Sequence, residues 1–125
     1  MMSQTILLFN INKDRHLILQ TICRTLGIRM IDVGRKDYAN QLGALAQIKG
    51  FQKKPKTYTG PEFPMEMLVF SEMNPDEIDA FLAEYKKTGQ APILLKAVIT
   101  SHNVFWSPEE LFKELLKEHL AMGQM

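Results

Sequence analysis

Cysteine is nearly missing: Cys23 is the single thiol in 125 residues. No internal disulfide can form, and a cysteine-based zinc site, which needs several thiolates or thiolates with histidines, is excluded. No apolar run approaches the roughly 18 residues of a membrane helix. The opening MMSQTILLFNINKDRH lacks the basic region and the cleavage pattern of a signal peptide. An excess of one charge is missing too: 15 Lys and Arg against 14 Asp and Glu leave +1. No global field therefore draws the chain to nucleic acid or anionic lipid, and any such binding is local. Glycine is sparse where a phosphate loop would need it, because the first apolar run is followed by NINKD, and no Walker or dinucleotide fingerprint occurs. These absences predict a cytoplasmic chain in a reducing compartment, with no membrane partner, no metal and no cofactor.

What is present is an alternation of strand and helix patterns across one domain of residues 1–125. TILLFN (5–10) is an apolar run of the kind covered on both sheet faces, hence a central strand. Leu19, Ile22, Cys23 and Leu26 then recur at helical spacing, with Asn12 as cap and Gly27 as stop. IRMIDVG (28–34) reads as the second strand. DYANQLGALAQI predicts a short helix, weakened by Gly43 at a cost of about 1 kcal/mol against alanine. Residues 49–64 form one long loop, with Lys49, Lys53, Lys54 and Lys56 inside the eight residues 49–56 and no acid among those eight. MEMLVFSE and PILLKAVIT are the third and fourth strands. The helices after them begin NPDE and SPEE, each a capping box with proline in the first turn. The alternation predicts an α/β fold of three layers: a mainly parallel four-stranded sheet, order 2-1-3-4, with helices on both faces. Such a sheet would gather its loops around a crevice between strands one and three at the carboxyl edge.

That crevice nominates Asn10, Asn12, Arg35, Lys36, Asp37, Ser71, Glu72, Thr100, Ser101, His102 and Asn103 as its polar lining. His102 has the pKa range of an acid or base, with Thr100 or Ser101 as hydroxyl and Glu72 as orienting acid. Lys96 sits in the fourth strand as a phosphate-sensing lysine would in a receiver-type switch. The acids such a switch needs are replaced by Asn10, Asn12, Ser71 and Glu72, so an edge lysine with its stem on apolar surface is the plainer reading. Trp106 precedes the cap Ser107 and is placed to pack on Leu111 as a hydrophobic staple, with ligand stacking as the alternative. His16 and His119 lie at helix ends. Cys23 lies on an apolar stripe, where a thiol is inert. Met65, Met67 and Met73 fill space rather than bind metal.

The segments EMLVF (66–70), IDAFLAEYKKTG (78–89) and LKAVIT (95–100), the following Asn103 and Trp106, and the EL and EH pairs of the last helix resemble a small bacterial family, domain of unknown function 3783. The resemblance runs from Ile6 to His119, with Lys96, Thr100, Asn103 and Trp106 set among hydrophobic blocks. It implies a compact cytosolic bacterial domain and brings no established activity with it.

Three functions follow as expectations. The first is a non-enzymatic binding or regulatory module that meets a protein or small-molecule partner through its carboxyl-edge loops and basic connector; self-association is compatible with it. The second is a small hydrolase or transferase using His102 with Thr100 or Ser101 and Glu72. The third is weak nucleic-acid binding through Lys49, Lys53, Lys54 and Lys56, with Phe51 and Tyr58 as stacking rings.

Overall fold

The computed structural model describes residues 3–123; the single domain expected for 1–125 extends at each end onto residues outside that description. Among the described residues, four strands alternate with four helices. The strands are β1 (Thr5–Phe9), β2 (Arg29–Val33), β3 (Met67–Ser71) and β4 (Leu95–Val98), and the helices are α1 (Lys13–Leu26), α2 (Leu42–Leu45), α3 (Pro75–Lys87) and α4 (Pro108–Gly123). They form a small α/β fold around one open sheet ordered β2-β1-β3-β4. Local chemistry sets the element ends. Asn12 accepts from the N–H groups of Asp14 and Arg15, Gly27 closes α1 at φ 70°, and Asn74 with Glu77 and Ser107 with Glu110 complete reciprocal capping boxes.

The sheet is mixed. β1 pairs with β2 and β3 with β4 in parallel, but β1 and β3 run antiparallel, with Thr5 opposite Ser71 and Phe9 opposite Met67. The crevice expected between strands one and three at a shared carboxyl edge therefore does not exist. The cause lies in the connection between β2 and β3. Short α2 carries the chain to the edge where β1 begins, because Gln47 and Lys49 share a hollow there with Ser3 and Thr5. Residues 49–64 then return, until the Phe63 carbonyl accepts from Asn10 at the end of β1. An extended chain covers up to about 3.3 Å per residue, so that stretch is several times longer than a five-residue strand and can recross the sheet. The expected single helical crossover between parallel strands fails because the loop is itself a second crossing.

Both faces are covered, giving three layers. On one face α1 and α3 pack Leu19, Ile22, Phe81 and Tyr85 onto Ile6, Leu8, Leu68 and Phe70. On the other, α4 and the segment 38–63 pack Leu111, Phe112, Tyr38, Leu42 and Phe63 onto Leu7, Phe9, Val69 and Leu95. β1 and β3 are buried along their whole length, as central strands must be.

Candidate functional site

Antiparallel pairing divides the nominated residues between two edges. At the upper edge, where β1 and β2 end, lie Asn10, Arg35 and Lys36. At the lower edge, where β3 and β4 end, lie Ser71, Glu72, Thr100, Ser101, His102, Asn103 and Trp106.

The lower-edge turn is self-contained. The Thr100 hydroxyl accepts from the backbone N–H groups of His102 at 3.2 Å and Asn103 at 3.0 Å. Asn103 accepts from the Thr100 N–H at 2.8 Å and donates to the Val98 carbonyl at 3.0 Å. Both side chains thus replace backbone partners that the turn would otherwise lack. The His102 ring stands edge-on to Trp106 at 5.4 Å. Among the described residues, no hydrogen bond joins that ring to Thr100, Ser101 or Glu72. Ser71 is buried, while Glu72 is exposed and opens on a separate hollow with Arg29 and Lys49. Trp106 is half-buried against the cluster that holds Leu111, the arrangement a hydrophobic staple produces.

At the upper edge a hollow of about 450 Å³ is bordered by Asn12, Arg15 and Glu66. Its polar groups are engaged with one another: Glu66 takes the Arg15 guanidinium at 2.8 and 3.0 Å and the Asn12 N–H at 2.6 Å. Asn10, in the left-handed region at φ 54°, donates to the Phe63 carbonyl. Arg35 donates to the carbonyls of Gly60 at 2.8 Å and Thr59 at 3.4 Å, and the Lys36 carbonyl accepts from the Tyr58 N–H. These residues tie the returning loop to the sheet.

Lys96 lies half-buried on the edge strand β4, facing α3. Its amine donates to the Ile93 carbonyl, and burial lowers its pKa. Cys23 is buried on α1, and desolvation pushes its thiol up to about 11, as an inert core thiol requires.

The two remaining features meet. Phe105, in the short 3-10 turn Asn103–Phe105, is 59% exposed and lies against Phe51 of the basic loop, ring centroids 5.5 Å apart. Gly43 makes the meeting possible: a Cβ there would come within 2.8 Å of both the Phe51 ring and the Val104 side chain. The Leu42 N–H donates to the Trp106 carbonyl at 2.8 Å and locks α2 to the same turn. Around the two rings opens a groove of about 940 Å³, bordered by Lys49, Lys53, Lys54 and the glutamines 41, 47 and 52, with no acid in its lining. Lys53 is held at the rim by Asp37 at 3.1 Å, and the Lys54 N–H by the Asn40 side chain at 2.7 Å. Tyr58, expected beside Phe51 as a stacking ring, is instead turned inward onto Tyr38, centroids 5.4 Å apart. Sequence reasoning missed Phe105 and misjudged Gly43. The available signal was the run Val104, Phe105, Trp106, in which an exposed ring stands between two inward-facing residues.

No group of three or more His, Cys, Asp or Glu that could hold a metal ion occurs among the described residues, and no described helix is long and apolar enough to cross a membrane. No curated protein and no solved structure matches the chain. Residues 66–122 match the model of a family described as Domain of unknown function (DUF3783), a shorter span than the resemblance read from Ile6 to His119. The match takes in β3, α3, β4, the turn that presents Phe105, and α4 up to Met122. Over that stretch, residues 66–122, the chain is similar to this family of domains of unknown function.

Proposed function

We propose that the chain is a non-enzymatic binding module whose contact surface is the groove shared by the basic connector and the turn after β4. One observation carries the reading: exposed Phe105 and half-buried Phe51, 54 residues apart in sequence, form an aromatic ledge in a lysine-rimmed groove whose lining holds no acid, Asp37 pairing only Lys53 at the rim. Elsewhere polar side chains are engaged in holding backbone, as at Thr100, Asn103, Asn10 and Arg35. A groove of this charge suits a partner carrying negative groups beside flat apolar surface. The buried single thiol supports a cytoplasmic setting.

Retention on a heparin column, eluted with salt, tests this surface. The combined variant Lys49→Gln, Lys53→Gln, Lys54→Gln and Lys56→Gln is expected to elute earlier than the unaltered protein. Lys86→Gln with Lys87→Gln, at the far end of α3, is expected to elute with it. Equal shifts per lysine removed in the two variants would mean that only net charge is felt and that the groove is not the contact surface.

A further inference from the structure

The groove has a direction. It shares Gln41, Gln52 and Lys54 with a smaller cleft that runs on to Lys56, so the four lysines line one continuous track that starts at the aromatic ledge. A point anion would need convergent donors, whereas a row of cations matches a chain with evenly spaced negative charge. Resting on the reading of a binding groove, we infer that its occupant is single-stranded nucleic acid, its phosphates lying along the lysines and a base stacked on Phe105.

Each part of such a strand has a counterpart. Phe105 is 59% exposed and tilted 52° to the Phe51 ring that flanks it, so a flat ring can cover its open surface without displacing core. The glutamine amides at 41, 47 and 52 both donate and accept, which suits base edges of any sequence. An acidic peptide fits less well: peptides commonly bind by adding a strand to a free sheet edge, and residues 49–64 contain no strand to extend. A duplex would hide the base faces that the ledge needs. The net charge of only +1 requires that the attraction be local to this track, which is how the lysines are placed.

The test is fluorescence anisotropy with a labelled mixed-sequence oligonucleotide of about 12 nucleotides, within the range of site sizes of single-strand binding folds. The same measurement is made with its duplex and with a poly-glutamate peptide of similar charge. Affinity for the single strand is expected to fall with salt, with a log–log slope of about −2 to −3 if three or four phosphates are contacted. Phe105→Ala, on an exposed side chain whose loss leaves the fold intact by melting temperature, is expected to weaken binding about 5- to 150-fold. Equal binding of the duplex, or an unchanged affinity in Phe105→Ala, would overturn the inference. Tighter binding of poly-glutamate would overturn it too, while leaving the groove as a docking surface for acidic protein. If no probe binds and heparin retention ignores the groove lysines, the functional reading falls with it.

Discussion

The two faces of the sheet are built in different ways. Beneath α1 and α3 the core is mostly aliphatic, with one edge-on aromatic pair, Phe70 and Phe81, at 5.6 Å. Beneath α4 and the connector it is an aromatic stack: Phe63 lies between Tyr38 at 4.1 Å and Phe112 at 4.3 Å. The difference follows from backbone chemistry. A regular helix satisfies its own N–H and C=O groups, so α1 and α3 need only an apolar stripe to dock. The connector has no ladder and must borrow partners, taking Asn40 for the Lys54 N–H, Arg35 for Gly60 and Asn10 for Phe63. A segment fixed by its inner side can expose lysines on its outer side, and that is where the groove lies.

Removing the central ring should affect the irregular face most. Phe63→Ala is expected to cost about 3–5 kcal/mol in denaturant unfolding and to raise amide exchange across residues 49–64. Phe81→Ala, of comparable cost on the regular face, should leave exchange in the connector unchanged; a rise there would mean that the faces are not independent. Next comes Gly43→Ala. The gain in helix propensity of about 1 kcal/mol is opposed by overpacking against Phe51 and Val104, worth about 1–3 kcal/mol. Net destabilisation is expected, together with a weaker groove; a more stable protein with full binding would show that the close approach is unimportant.

Asn40→Ala removes the acceptor of the Lys54 N–H and is expected to cost about 1–2 kcal/mol, with exchange protection lost at Lys54 and not in α1. The smallest effect belongs to the regular face: Asn74→Ala deletes one half of a capping box and is expected to cost about 1 kcal/mol. Its signature is faster exchange confined to the first turn of α3.

Much of this division was legible in the sequence. The apolar stripe of α1 and the caps Asn12, Asn74 and Ser107 rest on short-range patterns and appear as read; the order 2-1-3-4, taken from the doubly wound arrangement, also appears, though not with the parallel directions that arrangement assumes. The direction of β3 did not follow, because a run such as MLVFS, buried on both faces, reads alike from either end. Length alone could have warned of it, since residues 49–64 are far more chain than a turn requires. The aromatic ledge was hidden for another reason. Phe51 and Phe105 have no periodic relation, and Gly43, which admits them to each other, looked only like a flaw in a helix. His102 stands in a polar cluster of the sequence that forms a turn, where the Thr100 hydroxyl and the Asn103 amide serve their own backbone.

The most direct measurement of the central claim is an amide chemical-shift titration with the single-stranded oligonucleotide. The account predicts saturable shifts in residues 41–56 and 103–106 and none at Asn10, Arg15 and Glu66. Shifts centred on that upper-edge hollow, or on Lys96 and α3, would contradict it.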